Sequence, residues 1–498
     1  MTLAQLGSIM PEIVLLVAGL LAVVAGLVLD GGDRGPETSD RAGLVATAIG
    51  IAGSLIAMVL ALTLIGAGRT PTSILSGAFV LDHFAVFFQV LLLIFAAITL
   101  LLGHRYAERF RPHQPEFVGL VLLATLGGMF MASAREMIEL YVALETLSIS
   151  LYVLVAFNKR ERLSSEAGFK YLVVGAASSA VLLYGLAILY GLTGRTDLDA
   201  VATIVASGRA NSPALVLATL LVVGGLSFKI AAVPFHQWVP DVYQGAPTPV
   251  TAFISVSSKA AGWALMVRVL TSALLPMTHQ WGIYLAIVAA ITMTVGNVTA
   301  LSQTSLKRLL GYSSIAHAGY IMMGLLAITA GSRSLAAVGV GAVLFYLLAY
   351  GLTNLAAFAA VEAAEDGLGT DDIGALVGIS RRSGGLALAL ALSLLSLTGI
   401  PPLVGFFAKF FVFLAAVQAG YAWLAMIALA NSALSAVYYL RVVRAMYQDE
   451  GRAGAQLRVG TALWTALGIG LLAVLPLSAF ASPVVDLARQ GASAVFLR

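Results

Sequence analysis

Six lysines occur in this chain, and four of them interrupt stretches otherwise apolar enough to span a bilayer: Lys170, Lys229, Lys259 and Lys409. Lys229 lies in GGLSFKIAAVPFHQW, Lys259 in AFISVSSKAAGWALMV and Lys409 in GIPPLVGFFAKFFVFLAAV. An ammonium in hydrocarbon costs at least ~2.5–3.5 kcal/mol on insertion scales, so such residues are rare and mark ion or proton paths. Lysine also gives up its proton readily when buried, which arginine does not. Lysines buried on separate helices are therefore candidates for a proton relay. The plainer reading, an ion pair that only holds helices together, applies to each of them as well. Lys170 follows SSEAGF near a helix start, where it could also snorkel to the surface.

Around these residues the composition fixes the class. The 498 residues are 60% hydrophobic and 10% charged, with a mean hydropathy of +0.97; a soluble domain carries roughly 25% charged residues. The chain reads as an all-α polytopic membrane protein. Having no cysteine, it has no disulfide, thiolate metal site or iron–sulfur ligand of its own. The basic pI of about 9.2 comes from loop arginines and points to membrane orientation rather than to nucleic acid. The opening MTLAQLGSIMPEIVLLVAGLL has no basic residue before its apolar run, so it is expected to be a first spanning helix and not a cleaved signal.

At about twenty apolar residues per span, about fourteen spans are expected, near 9–29, 42–66, 79–103, 117–134, 137–157, 166–192, 212–238, 247–275, 281–301, 307–330, 334–361, 385–416, 420–446 and 460–480. With the N-terminus outside, sixteen loop cations fall inside, among them Arg34, Arg109, Arg111, Lys159, Lys307, Arg308, Arg452 and Arg458. Only eight fall outside: Arg69, Arg135, Arg195, Arg209, Arg268, Arg333, Arg489 and Arg498. Both termini are thus expected on the side away from the cytoplasm.

Two spans carry helix breakers at their middle. In the seventh, Pro234 and Pro240 flank FHQW; in the twelfth, Gly399, Pro401, Pro402 and Gly405 cluster. Proline removes a helical donor and clashes with the preceding turn, and non-helical backbone at membrane depth survives only inside protein or facing water. Interrupted segments at matching places in two halves point to a transport site built from repeats. Five spans separate the two breaks. The expected organisation is three leading helices (1–110), a five-helix unit (111–275), an inverted second unit (276–450) and a last helix with its tail (451–498).

The run SFKIAAVPFHQWVPDVYQGAPTPVTAFISVSSKA and the stretch LSQTSLKRLLGYSSIAHAGY resemble the proton-conducting membrane module shared by respiratory complex I and multisubunit cation/proton antiporters. The three leading helices and the lysine in GFFAKF are most similar to the subunit N branch of NADH–quinone oxidoreductase; a sister branch has glutamate at that lysine. The polar loops at 30–41 and 363–382 match nothing in the module.

The resemblance implies a proton relay. Glu145 in YVALETLSISLY would be the fifth-helix carboxylate and Lys229 its partner on the broken helix. Lys259 would be the central lysine, Lys409 the terminal one, and His317 in YSSIAHAGY the bridge between them; Lys170 and His236, at the helix-seven break, are the weaker members. Asp241 and Tyr243 are read as shaping the turn after the break. The implied activity couples electron transfer from NADH to quinone to proton pumping, with NADH, flavin, iron–sulfur clusters and quinone held by other subunits and no cofactor or metal in this chain. Sister antiporter-like subunits, lipid, protons and water are the implied partners, and nucleic acid is not. A sodium/proton antiporter subunit, or one of a membrane-bound hydrogenase or dehydrogenase, is the alternative. A non-conducting scaffold is a third reading; it would tolerate loss of the buried lysines.

Overall fold

The computed structural model describes residues 3–30, 36–66, 72–74, 77–106, 110, 113–210, 212–448, 457, 459–479 and 481–496. Among these, twelve helices are long and apolar enough to cross a membrane, and Gly384–Thr398, Val404–Gln418 and Thr461–Leu471 are shorter apolar helices. The seventh span comprises Pro213–Ile230 and the short Trp238–Gly245, and the twelfth comprises Gly384–Thr398 and Val404–Gln418. The result is an all-α polytopic membrane protein with one small exception. Thr72–Ile74 and Phe79–Leu81 pair as an antiparallel hairpin, so the third span begins at His83 rather than at 79. The second begins at Pro36, inside the stretch read as a polar loop. Of the cations used for orientation, Arg34, Arg69, Arg109, Arg111, Arg452, Arg458 and Arg498 lie outside the described residues.

Spans eight (Thr248–Thr271), ten (Leu306–Ala330) and eleven (Arg333–Leu368) form the centre of the bundle. Span eight is buried along its whole length. Span eleven packs on span ten, on both halves of span twelve and on the C-terminal helix Ala481–Ser493. Spans one and two sit at the periphery and turn Leu20, Leu27, Val28 and Val59 outward, the apolar face expected toward lipid tails.

The two breaks share a local structure that their letters do not announce. In span seven, Ala231 takes a left-handed conformation (φ 62°), its N–H bonds the Phe228 carbonyl at 3.1 Å, and the Ala232 N–H reaches back to Ser227 O at 2.9 Å. In span twelve, Gly399 (φ 90°) bonds Ser396 O at 2.9 Å and Ile400 reaches Leu395 O at 3.2 Å. Both are Schellman closures, and in each the proline of a cis X–Pro bond follows three residues after the left-handed one, at Pro234 and Pro402. Ala231 adopts a backbone that costs an L-residue roughly 1–2 kcal/mol. The chain resumes after the second break at Val404, with the Gly405 N–H donating to Ser396 Oγ at 3.3 Å.

Span eight is not a uniform α-helix. Ile254–Ser258 forms a π-turn, with one residue too many for its length, immediately before Lys259. Such bulges occur mostly at functional positions. Ser255 marks it: its hydroxyl donates to Ala252 O at 2.6 Å and accepts from Asn354 Nδ2 at 2.7 Å.

Two cations read as loop residues are inside the protein. Arg268 is 1% exposed and makes paired bonds of 2.7 and 2.6 Å to Asp82, itself 2% exposed, with a third bond of 2.7 Å to Ala132 O. Asp82 also caps the third span by accepting from Ala85 N at 2.8 Å. Lys307 is 4% exposed and faces Glu365 at 3.6 Å. Proximity to a span end misled the loop assignment: side chains of the first and last turns can fold inward where a partner waits.

Two outcomes test these ties. Arg268→Leu strands a buried carboxylate and should cost about 3–5 kcal/mol, seen as a lower melting temperature of the purified complex. The double variant Arg268→Leu/Asp82→Leu should melt above that single variant. Gly405→Ala would set its Cβ 1.8 Å from Ser396 O, so the subunit should fail to assemble, as read by blue-native electrophoresis.

Candidate functional site

Lys229 lies in the last turn of the first half of span seven, fully buried, and its Nζ has no hydrogen-bond partner among the described residues. The Phe228 and Tyr171 rings lie 5.6 and 5.9 Å from it. Glu145, half-buried on span five (Met137–Val155), accepts a hydrogen bond from Ser179, whose oxygen lies 3.0 Å from the Tyr141 hydroxyl. Spans five and seven both pack on span six, Arg162–Thr193. Among the described residues no direct bond joins carboxylate and ammonium.

Gly262 shows how close spans seven and eight come. A Cβ there would stand 2.9 Å from Lys229 Cβ, so only glycine lets the two backbones approach. Lys259, one turn earlier on span eight, donates to Ser314 O at 2.9 Å and also bonds the Ser314 hydroxyl. Tyr243 Oη lies 3.0 Å from the same hydroxyl. The residue assigned to shaping a turn therefore reaches the central lysine through one serine. Ser314 sits inside the YSSIAHAGY motif, but nothing in its letters singles it out as the lysine's partner.

His317, one turn beyond Ser314, borders two small cavities. Each has a volume of about 10 Å³, the space of a single water. The first is lined by Lys259, Ser314, Trp263 and Tyr350 together with His317. Among the described residues the Trp263 Nε1 and Tyr350 Oη atoms have no hydrogen-bond partner. The second is lined by Tyr346, Thr353, Ser396, Gly405 and Ala408 as well as His317, and so runs to the break in span twelve. His317 Nδ1 is 2.6 Å from Tyr346 Oη.

Lys409, beside Ala408, donates to Thr398 O at 2.8 Å and Ser432 Oγ at 3.0 Å. It stands 4.9 Å over the Tyr320 ring, which meets His317 edge-on at 5.8 Å. The structure thus brings Lys259, His317 and Lys409 onto one polar line, with Lys229 one helix packing away.

Lys170 and His236 stand apart from that line. Lys170 has a 42% exposed side chain and pairs with Glu166 at 2.7 Å and Asp241 at 2.8 Å. Asp241 also holds Arg308 at 2.7 Å, tying span six to span ten. With opposite charges this close on both sides, the tie fastens helices. His236 is half-buried at the span-seven break, and its Nδ1 has no partner.

A further polar cavity of about 180 Å³ opens at the end where spans eight and ten begin. Its lining includes Lys307, Glu365, Glu161 and Asp371. Thr248 donates to Glu365 at 2.5 Å and lies 3.4 Å from Lys307 Nζ. Sequence reading missed this pair because one member was counted as a loop cation and the other fell in the unmatched loop. Among the described residues no cluster of three or more His, Cys, Asp or Glu could hold a metal ion.

Residues 134–435 match the family described as NADH:quinone oxidoreductase/Mrp antiporter, TM. NAD(P)H-quinone oxidoreductase subunit 2 of Thermosynechococcus vestitus is 44% identical over 445 residues, covering 89% of this chain and 82% of that one. NADH-quinone oxidoreductase subunit N of Moorella thermoacetica is 40% identical over 501 residues, covering 99% and 100%. A chain of respiratory complex I from Thermus thermophilus with bound aureothin superposes with a TM-score of 0.77 at 33% identity, over 96% of this chain and 99% of that one. The matched segment holds both broken helices and all the lysines of the polar line, and the chain belongs to the family of NADH:quinone oxidoreductase and Mrp antiporter membrane subunits.

Proposed function

We propose that the chain is the proton-translocating, antiporter-like subunit N of an NADH–quinone oxidoreductase, pumping protons while other subunits move electrons from NADH to quinone. The observation that carries this reading is the single-file arrangement of buried protonatable groups, Lys259, His317 and Lys409, with water-sized cavities between the first two and toward the third. Redox energy would arrive from neighbouring membrane subunits, sister antiporter-like chains among them. Flavin, iron–sulfur clusters and quinone would sit elsewhere in the complex, which is expected in a bacterial inner membrane with both termini of this chain on the non-cytoplasmic side.

In this reading Glu145 acts on Lys229 through space. Two charges ~7 Å apart at an effective dielectric near 20 interact by ~2.4 kcal/mol, enough to hold a proton and weak enough to release it when the field is withdrawn. The proton then passes toward Lys259. His317 takes it on one ring nitrogen and gives one from the other, which a neutral imidazole can do. The matching closures at Ala231 and Gly399 support the division into units 111–275 and 276–450, each with one broken helix, between 1–110 and 451–498.

Two substitutions test the relay in the reconstituted complex. Lys229→Ala should assemble yet lower proton pumping and coupled quinone reduction together, and unchanged pumping in vesicles would remove Lys229 from the relay. Lys409→Glu keeps a titratable group where Lys409→Ala does not, so it should retain more pumping. Equal loss in both would mean that no proton is transferred at that position.

A further inference from the structure

Lys409 has more around it than two hydrogen bonds. An ammonium carries three N–H bonds, and two of its contacts here are oxygens, Thr398 O at 2.8 Å and Ser432 Oγ at 3.0 Å. A third neighbour is the face of the Tyr320 ring, 4.9 Å from Nζ to the centroid. A ring face attracts a cation through its quadrupole, most strongly where water is excluded. Lys409 and Tyr320 are both buried. A neutral amine offers the ring no charge, so the contact is worth less once the proton has left.

The ring is not free to turn away. Tyr320 Oη accepts a bond of 2.9 Å from Asn297 Nδ2 on span nine, Leu275–Ala300. Asn297 is itself tied: its Nδ2 also lies 2.8 Å from Met293 O and 3.3 Å from Asn431 Oδ1, and its Oδ1 accepts from Tyr438 Oη at 3.0 Å. Asn431 and Tyr438 stand on span thirteen, Ala422–Tyr447, which also supplies Ser432. Glycines set the register. A Cβ on Gly296, beside Asn297, would stand 2.5 Å from Ala316 N, and one on Gly319, beside Tyr320, 2.7 Å from Met293 N. The backbones of spans nine and ten therefore touch at the level of the Asn297–Tyr320 bond. Phe413, one turn after Lys409, closes on the same ring at 5.9 Å. Leucine and phenylalanine would fill this space without burying polar groups, so the network is explained by what it holds.

We propose that Tyr320 is a ligand of the Lys409 ammonium through its ring face, and that Asn297 is the positioning residue that keeps the face there. The attraction is present while Lys409 is protonated and falls away when the proton leaves. The electron density of this ring thus sets how readily the terminal lysine lets its proton go. Tyr320 and Asn297 neither give nor take the transported proton, and no covalent bond in them is altered. Other titratable groups near this half-helix come from three of the elements packed on it: His317 from span ten, Tyr346 and Tyr350 from span eleven, and Tyr438 and Tyr439 from span thirteen. Gly384–Thr398, Leu326–Ala330 and the last span, also packed on it, carry none. The inference rests on the relay reading above.

The test is Tyr320→Phe, then the same ring with one, two and three fluorines, in the assembled complex reconstituted in vesicles beside Lys409→Ala. The series keeps the ring's shape while each fluorine drains its negative face. The pH above which proton flux is lost should fall stepwise along it, by about one pH unit in all. A ring that only filled space would leave that limit where it is. Asn297→Ala should move the limit in the same direction, and should add little when the trifluorinated ring already stands at 320; an unmoved limit in Asn297→Ala removes that residue from the proposal. If Tyr320→Phe does not assemble, difluorinated tyrosine at 320, which keeps the hydroxyl bonded to Asn297, should show the same fall against the unmodified chain. A limit that stays put or rises with fluorination, beside a defective Lys409→Ala, overturns the proposal and leaves the relay standing. Full flux in Lys409→Ala overturns the place of that lysine in the relay and this inference with it.

Discussion

Inside an apolar bundle every backbone group released from a helix must find its partner within the chain or in a bound water. Two helices of this protein are cut in the middle, and the surroundings of each cut are organised around that demand. At the first, the indole of Trp238 gives the Phe228 carbonyl a second donor at 3.2 Å and Thr292 receives the Val233 N–H at 3.0 Å. At the second, Lys409 itself bonds the Thr398 carbonyl. The terminal lysine of the line is thus held by the same backbone break that gives it polar company in an apolar region. Were the helix continuous, that carbonyl would be spent on an intrahelical bond.

The same demand separates two kinds of buried cation. Arg268 with Asp82, and Lys170 with Asp241 and Arg308, have their charges met by close opposite charges. They cannot exchange a proton without breaking the tie, and they bracket the bundle near its ends. Among the described residues Lys229, Lys259 and Lys409 have no ion-pair partner; their neighbours are hydroxyls, carbonyls and aromatic rings. A cation solvated only by dipoles is held less firmly than one in an ion pair, which suits a group that must alternate between two protonation states.

Much of this was legible in the letters. Apolar length found the twelve long membrane helices and the shorter apolar ones among the described residues, though the second starts earlier and the eleventh ends later than read; proline and glycine located both breaks, and lysine in hydrocarbon singled out the polar line. The rest depended on three dimensions. Lys307 and Arg268 near span ends read as loop cations because nothing in a one-dimensional pattern tells an inward from an outward side chain. Lys170 read like the other three until its two carboxylates, one of them 71 residues away, came into contact with it. The π-turn before Lys259 has no letter signature, since Ile254, Ser255 and Val256 sit equally well in an α-helix. Ser314 and Tyr346 were invisible as partners because hydroxyls are common and only their neighbours give them a role.

The two cavities beside His317 each admit about one water, and this bears on insulation. A membrane that stores a voltage must not be bridged by a standing column of liquid. Chambers of one molecule, walled by Trp263, Leu347 and Leu397, hold no such column. A proton needs no such room, because it moves by exchanging bonds along whatever oxygens and nitrogens are momentarily aligned. The narrowness thus guards against leakage: with any one chamber dry the circuit is open, and the electrochemical gradient is kept.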